Sequence, residues 1–261
     1  MMIRFVMLIG MCVLSVSAVG EETSQTPHQL LWNGHPEQAL AILKQDPDWV
    51  NRQDDSQRTP LHVAARFGHA NVVKWLLEHD VDVNVAAYNG FTALHLVDDP
   101  AIVELILKSK PDLSIRCRAR NETVLQRAVR NSCDPRRVKQ RANWEKVVQV
   151  FLKAGAKQDL FVAIYRDDLA KVREILRDNP KQADSFQRES PLRLAASLGR
   201  TEICRHLIVD HRVEVDDFER GFGYPIIIKA VAYPRIVELL IQSGANPVSY
   251  THLTLPTTPY V

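Results

Sequence analysis

The segment from Thr59 to Asn84 constrains the fold of this chain more than any other, because it encodes two short helices joined by a tight turn. Thr59 is suited to cap the first free N–H groups of a helix, and Pro60 suits the first helical position, where its missing donor costs nothing. Gly68 offers the left-handed backbone that ends a helix. Such a hairpin cannot bury its apolar side chains alone, so it requires neighbouring copies. These side chains recur at helical spacing: Leu61, Ala64 and Ala65, then Val72, Val73, Leu76 and Leu77.

The pattern returns at a fixed interval, which predicts a stack of such hairpins. Thr92 to His95 follows Thr59 to His62 after 33 positions, and Asn89-Gly90 just before it is a tight-turn dipeptide. Both copies resemble ankyrin repeats, and Thr59 to Asn84 does so at nearly every signature position. The resemblance implies an all-α solenoid of stacked helix-turn-helix units with short hairpin-like fingers.

Seven copies are predicted, and several are irregular. Their predicted bounds are 27–53, 54–86, 87–117, 118–158, 159–184, 185–217 and 218–247, which together form an ankyrin repeat domain over residues 27–247. The third and seventh copies have shortened turns, at Asp98-Asp99-Pro100 and Ala232-Tyr233-Pro234. The fourth carries an insertion of about eleven residues around Cys133 to Asn143, as expected of a loop that bears no stacking contacts.

The first twenty residues are typical of a secretory signal peptide. Arg4 supplies a positive start, Phe5 to Leu14 is almost wholly apolar, and small residues precede a cleavage site after Ala18. We therefore expect a secreted or periplasmic protein. The alternative is an uncleaved segment that anchors the chain in a membrane, although a bilayer span needs about 20 apolar residues.

The last fourteen residues, 248–261, interrupt the repeat pattern. They are rich in Thr and Pro and have no helical period. They resemble the read-through tails that translated sequencing adapters leave on assembled reading frames; the alternative is a natural disordered tail. If the tail is an artefact, we expect further repeats beyond Pro247, and resequencing of the locus decides between the two.

Three cysteines follow the predicted signal segment. Cys204 lies among apolar residues of a predicted helix, which favours a small core side chain over a reactive one. Cys117 and Cys133 flank one repeat helix, and the sequence leaves open whether they form a disulfide or stay free thiols.

The sequence contains none of the motifs that mark common catalytic or cofactor sites. There is no GxSxG, HExxH, phosphate loop or paired CxxC, so no enzyme activity and no cofactor are predicted. His62 and His95 hold equivalent positions, where the ankyrin resemblance implies a ring that hydrogen-bonds between adjacent loops. His206 and His211 share no helical face well, so no metal site is expected.

The resemblance also implies how such a chain works, through a concave groove that binds another protein. Finger tips and the exposed side of each first helix would line it. Phe67 and Phe91 beside arginines are typical of interface anchors, whereas the alternative for either ring is packing on a neighbouring finger. Position by position, the predicted groove residues are Asp54, Arg58, Arg66, Phe67, Asn89, Phe91, Arg118, Arg120, Arg130, Asn131, Gln187 and Glu189.

The charge of the chain is nearly balanced, at +2, but one segment is strongly basic. The segment from Arg116 to Lys146 contains ten basic residues and three acidic ones. This segment is either a solvated surface or a docking site for an acidic partner protein, and nucleic acid is not expected because export removes most contact with it. We expect a non-catalytic interaction scaffold; the alternatives are a regulator or protector of a specific exported enzyme, or a secreted host-directed effector.

Overall fold

The computed structural model describes residues 25–185, 190–215 and 225–245, which form helices and loops with no β-strand among them. The predicted all-α class is confirmed for these residues. None of their helices is both long and apolar enough to cross a bilayer. The predicted signal segment (1–20), the tail (248–261), Gln187 and Glu189 lie outside the described residues, so these predictions and the repeat bounds stay predictions.

Fourteen α-helices in the described ranges form seven pairs. The odd-numbered helices contact one another in an inner row from α1 to α13, and the even-numbered helices form an outer row behind them. In chain order they are α1 (Pro27–Trp32), α2 (Pro36–Gln45), α3 (Pro60–Arg66), α4 (Ala70–Leu77), α5 (Ala93–Leu96), α6 (Pro100–Leu107), α7 (Val124–Cys133), α8 (Arg141–Lys153), α9 (Leu160–Tyr165), α10 (Leu169–Asp178), α11 (Pro191–Ser197), α12 (Thr201–Arg205), α13 (Ile226–Lys229) and α14 (Pro234–Gln242). Short 3-10 turns lie at Pro47–Trp49, Pro135–Gln140 and Pro180–Asp184, and a π turn at His206–Asp210 extends α12.

The inner helices begin at polar caps that repeat along the chain. The predicted start of α3 is confirmed, with Thr59 at the cap and Pro60 in the first turn. The first repeat uses the same device, since Thr26 Oγ1 accepts from Gln29 N–H while Gln29 Oε1 accepts from Thr26 N–H. Thr123 and Gln126 repeat this reciprocal pair on α7. Six of the seven inner helices thus start at a polar cap, whereas α13 follows Pro225, which forms no side-chain cap bond.

The apolar core runs along the stack as two connected clusters. One extends from α1 to α8 and includes Val162, and the other begins at Leu160 and continues to the last helix. Both meet at α9, where Tyr165 packs against the two of them. Each repeat thus buries its apolar face against its neighbours, as a stack of small hairpins requires.

The fingers that precede α3, α5 and α7 are turns closed by backbone hydrogen bonds. Asp54 N donates to Arg58 O, Ala87 N donates to Phe91 O, and Cys117 N donates to Glu122 O, at 2.9 Å each. Adjacent fingers are joined as well, because Arg118 N donates to Asn89 O at 2.9 Å.

The third and fourth repeats differ from the regular second repeat in helix length. Helix α5 has four residues, whereas α3 has seven, so the third repeat is shorter as predicted, but the missing residues come from this helix. The prediction of a shortened turn is wrong, because three residues separate the two helices in both repeats, 67–69 and 97–99. The expected loop in the fourth repeat is wrong in one respect: its added residues are largely helical. Asp134 Oδ1 accepts from Arg136 N at 3.0 Å and starts a 3-10 turn, which leads directly into the 13-residue α8.

The three cysteines of the described residues are free thiols, so Cys117 and Cys133 form no disulfide. Cys204 is fully buried, as predicted, and burial raises the pKa of its thiol to about 12. The Cys133 Sγ–H donates to the carbonyl oxygen of Tyr165 at 3.6 Å and is only partly buried. Of the three, Cys133 therefore has the thiol most accessible to reagents.

Candidate functional site

A row of side chains bonds the inner helices to the next repeat and holds the inner face in place. His62 Nε2 donates to the carbonyl oxygen of Phe91 at 2.9 Å, and His95 Nε2 donates to that of Glu122 at 3.3 Å. In the fourth repeat the equivalent Gln126 donates to Asp159 Oδ2 at 2.5 Å. The prediction that both histidine rings bond between adjacent loops is confirmed.

Both histidine rings are almost fully buried and neutral. Burial lowers the pKa of His62, and it lowers the pKa of His95 to about 4, with bonds to backbone carbonyls opposing the shift. On the other side of the His62 ring, Nδ1 accepts from Thr59 N–H at 3.1 Å. A proton on Nδ1 would remove that acceptor, so the geometry matches the neutral ring and indicates a structural role.

Four side chains of the first two repeats form an exposed cluster, which we call the aromatic cluster: Trp32, Arg58, Arg66 and Phe67. Trp32 is 45% exposed and Phe67 is 40% exposed. Their rings meet edge to face, with centroids 4.9 Å apart and planes at 73°. The Cζ atoms of Arg58 and Arg66 lie 4.8 Å and 5.3 Å from the centroid of the Trp32 ring.

The helices and the finger explain why these four side chains meet. Trp32 and Arg66 are the last residues of α1 and α3, and Phe67 follows Arg66 at the end of α3. Arg58 closes the finger just before α3 begins. Because α1 and α3 are neighbours in the inner row, their ends bring the two rings together.

Asp54 orients the cluster from the finger. Its carboxylate accepts from Arg58 Nε at 2.8 Å and from Ser56 N and Arg58 N at 2.9 Å each. Burial alone would raise the pKa of Asp54, but the hydrogen bonds from Arg58 and Ser56 outweigh it and hold that pKa below its usual value. Arg66, by contrast, has no ion pair within the described residues, so its guanidinium is available to a partner.

The predicted groove residues of the third repeat, Asn89 and Phe91, make contacts that stabilise the finger. The Phe91 ring stacks on His95, with centroids 5.7 Å apart, and Arg127 Cζ lies 4.4 Å above it. Asn89 Oδ1 accepts from Phe91 N at 3.2 Å, which stabilises the turn. Of the two phenylalanines, Phe91 thus packs on its neighbours, and Phe67 is the one with an exposed ring.

The predicted groove residues of the fourth repeat divide into three kinds. Arg118 and Arg120 are exposed on the finger, whereas Arg130 is held by Glu122 through bonds of 2.8 Å and 3.2 Å. Asn131 is only 1% exposed, so the expectation that its side chain lines a surface groove is wrong. It lies one helical turn after the buried Ala128, on the inward side of α7.

The basic segment of the fourth repeat is partly neutralised within the chain. Asp134 Oδ2 lies 2.9 Å from Arg136 Nη2 and 3.8 Å from Arg137 Nε, and these arginines with the other hydrogen bonds hold the pKa of that carboxyl at about 2. Arg141 Nε donates to Ser132 O at 3.1 Å. Within the described residues, the basic side chains of this segment without an ion pair or hydrogen bond are Arg118, Arg120, Arg127, Lys139 and Lys146, of which Arg127 lies over the Phe91 ring.

In the first three repeats, the exposed aromatic residues Trp32 and Tyr88 were not predicted as groove residues. Trp32 holds the same place at the end of α1 as Arg66 holds on α3, so transfer of the groove positions to the first repeat would have found it. Tyr88, 72% exposed, lies at the tip of the third finger, where its backbone N–H donates to Ser56 O at 3.1 Å. Trp32 lies in the first repeat and Tyr88 in the third, and both of these repeats match the repeat pattern less closely than the second repeat does.

The histidine pair near the end of α12 lies outside the aromatic cluster. The rings of His206 and His211 meet edge to face at 4.9 Å, and His206 Nδ1 bonds to Asp210 Oδ2 at 2.5 Å. Across the part of the chain that the structure describes, no three His, Cys, Asp or Glu side chains converge as metal ligands.

A family model described as ankyrin repeats in three copies matches residues 28–117. This match covers the first three repeats, including the whole aromatic cluster. The resemblance inferred from Thr59 to Asn84 is therefore confirmed by an independent comparison.

Curated proteins also match parts of the chain. Serine/threonine-protein kinase VIK of Arabidopsis thaliana is 47% identical over 58 residues, 21% of this chain and 13% of that protein. ARF GTPase-activating protein Git of Drosophila melanogaster is 32% identical over 105 residues, 39% of this chain and 14% of that protein. Ankyrin repeat domain-containing protein 13B of Homo sapiens is 32% identical over 93 residues, 34% of this chain and 15% of that protein. The chain thus spans 15% or less of the length of each of these three relatives.

Proposed function

Residues 28–117 of this chain are ankyrin repeats, and from this premise we propose that the protein is a non-catalytic scaffold that binds another protein through its inner face. Stacked repeats form extended concave surfaces that suit protein partners, because each repeat adds a similar patch to one continuous face. In this chain the inner helices α1 to α13 lie side by side in one row, which would supply such a continuous face.

The observation that carries the proposal is the exposed contact between Trp32 and Phe67. Two large rings, 45% and 40% exposed, lie side by side with Arg66 beside them. Aromatic and arginine side chains are enriched among residues that dominate binding energy, since both bury much area and the arginine guanidinium also offers five hydrogen-bond donors. A partner that covers this cluster removes both rings from water.

The partner we propose is acidic. Arg66 in the aromatic cluster and Arg118 and Arg120 on the fourth finger are cations without an ion pair among the described residues. Partner carboxylates would supply the missing charge, and the attraction would be screened by salt. We therefore expect affinity to fall steeply between about 20 mM and about 200 mM salt; an affinity independent of salt argues against an acidic partner.

Export is a further part of the proposal and rests on residues 1–20. The expected mature chain begins after Ala18, whereas an uncleaved anchor leaves the full chain in the membrane fraction. Mass measurement of the protein from the periplasm, the medium and the membranes separates these outcomes. A scaffold, a regulator of an exported enzyme and a secreted effector all use the same face, so the identity of the captured partner distinguishes them.

Quantitative capture of a partner by purified variants tests the proposal. Replacement of both Trp32 and Phe67 by Ala should reduce capture at least about tenfold, because both anchors of the interface are lost. Ile241→Ala is the matched control, since Ile241 is 44% exposed but lies on the outer helix α14. A photo-reactive amino acid at position 67 should crosslink to the same partner.

A second pair of variants tests the charge. Arg66→Glu should weaken capture more than Lys74→Glu, because Arg66 lies in the aromatic cluster and Lys74 is exposed on the outer helix α4. Equal capture by the wild type and the Trp32/Phe67 double variant would place the interface elsewhere on the molecule. Loss of capture in all four variants would point to a general charge or stability effect.

A further inference from the structure

A notch of about 700 Å³ opens at the turn between the helices of the third repeat, next to the aromatic cluster. Its volume lies within the range of known ligand sites. It is bounded by residues from the second, third and fourth repeats: Arg66, Phe67, Gly68, Asp98, Asp99, Pro100, Ala101, Asn143 and Lys146.

The notch arises from the two irregular repeats. Helix α5 is three residues shorter than α3, so the third repeat reaches its turn almost one helical turn, about 5 Å, sooner. Helix α8 is longer than α6, with 13 residues against eight, and its first two turns carry Asn143 and Lys146. The Asp98 turn therefore forms a floor between a wall at Phe67 and a wall at α8.

The notch is lined by both basic and acidic side chains, and these form no ion pairs with one another. Among the residues that line the notch, Arg66 belongs to the second repeat, Asp98 and Asp99 to the third and Lys146 to the fourth, so the acidic pair comes between the two basic side chains in the order of the stack. Within the described residues none of the four has an ion-pair partner. Asp99 Oδ1 caps α6 by accepting from Ala101 N at 2.9 Å, whereas Asp98 has no such bond. A ligand that complements this pattern places a cation over the floor and an anion near each wall.

We propose that the notch binds an extended segment of the partner in which acidic, basic and acidic side chains alternate with small residues. In an extended chain every second side chain points the same way, at intervals of about 7 Å. The central basic side chain meets Asp98 and Asp99, and the flanking carboxylates meet Arg66 and Lys146. This inference rests on the proposed function, because Arg66 and Phe67 belong to both the notch and the aromatic cluster.

Blocked, fluorophore-labelled pentapeptides test the inference without the natural partner. The first probe is Glu-Ala-Arg-Ala-Glu, and the controls are its inverse, Arg-Ala-Glu-Ala-Arg, and the reordered Glu-Glu-Ala-Ala-Arg. Fluorescence anisotropy with the full chain at about 20 mM salt should show the first probe binding at least about tenfold more tightly than either control.

Charge exchange shows whether the notch is the place of binding. Lys146→Glu should weaken binding of the first probe at least about tenfold. Two further probes each have one terminal Glu of the first probe changed to Arg. One of them should bind the Lys146→Glu variant as tightly as the first probe binds the wild type. Asp98→Asn should also weaken the first probe. Lys139→Glu is the matched control, because Lys139 is equally exposed and unpaired but does not line the notch.

Other outcomes overturn the proposal. Equal affinity for the three peptides, or equal loss in the Lys146 and Lys139 variants, shows general charge attraction alone. Self-association of the chain that Lys146→Glu abolishes identifies a second copy as the occupant instead. Peptide binding tests the notch, and capture by the Trp32/Phe67 double variant tests the aromatic cluster, so the two failures are separately visible. No preference for the first probe together with reduced capture overturns the notch alone, and a clear preference together with unchanged capture overturns the aromatic cluster alone.

Discussion

His62 Nε2 lies 2.9 Å from the carbonyl oxygen of Phe91, which joins the second repeat to the finger of the third. The ring is held from the other side by the N–H of Thr59, which donates to Nδ1. Both nitrogens are thus satisfied in the neutral ring only. The same arrangement recurs at His95, so two consecutive junctions of the stack depend on uncharged imidazoles.

This arrangement predicts a loss of stability in acid. Folding lowers the pKa of His95 from 6.5 to about 4, so between these values the unfolded chain binds a proton that the folded chain does not. Stability therefore falls as the pH decreases through this window, by about 3 kcal/mol for His95 when it is complete. His62 contributes in the same direction.

Substitution of His95 by Gln isolates the effect, because Gln126 already fills the equivalent position in the fourth repeat. We expect H95Q to match the wild type within about 1 kcal/mol at pH 7 and to exceed it at about pH 4, as measured by urea unfolding. Comparison of the two proteins cancels the titration of shared carboxylates. An unchanged pH dependence in H95Q would show that His95 is not responsible.

A second prediction concerns Gly90, at the tip of the third finger. Its φ is +78°, and a Cβ there would lie 2.5 Å from Arg118 N. Gly68 has the same φ of +78° but open space around it, so G68A should cost about 1–2 kcal/mol from backbone strain alone. G90A adds the steric overlap and should cost at least about 1 kcal/mol more. Equal losses in denaturant unfolding would show that the finger contact is loose in solution.

The order of thiol reactivity is a third prediction. Cys117 and Cys204 are 1% and 0% exposed, and the pKa of Cys204 is raised to about 12, so neither should react with iodoacetamide in the native protein near pH 8. Cys133 is partly exposed and should react slowly. Peptide mapping by mass spectrometry identifies the alkylated residue. Detection of a Cys117–Cys133 disulfide in unreduced protein would contradict the free thiols of the structure.

The repeat pattern predicted most of the fold because its signals are local. Thr59, Pro60 and Gly68 each act on the backbone within one hairpin, and His62 bonds to the next copy at a distance set by the repeat itself. The irregular fourth repeat was harder to predict. Its extra residues extend the helices α7 and α8. This extension depends on Asp134, which caps a new turn, and on the packing of Trp144, which is 4% exposed.

The candidate site was only partly predictable, because exposure depends on neighbouring repeats. The sequence marked Phe67 and Phe91 equally, yet Arg127 from the next repeat lies 4.4 Å above Phe91, whereas the guanidinium of the neighbouring Arg66 lies 5.7 Å from the Phe67 ring, which stays 40% exposed. Asn131 was misplaced for the same reason, since the long α7 turns that position inward. Contacts between repeats of unequal length are set by packing, which no single repeat encodes.

The buried amide of Asn131 leads to the last prediction. The residue is 1% exposed, and neither its Oδ1 nor its Nδ2 has a hydrogen-bond partner in the structure. An unsatisfied buried polar group costs about 1–3 kcal/mol, whereas an apolar side chain of similar size does not. Asn131→Leu should therefore raise the free energy of unfolding by about 1 kcal/mol or more.

Gln126→Leu on the same helix is the matched control: Gln126 is 3% exposed but bonded to Thr123 and Asp159, so its replacement should lower stability. Urea unfolding of both variants at pH 7 gives the comparison. A loss of stability in Asn131→Leu would mean that the amide is hydrogen-bonded in solution.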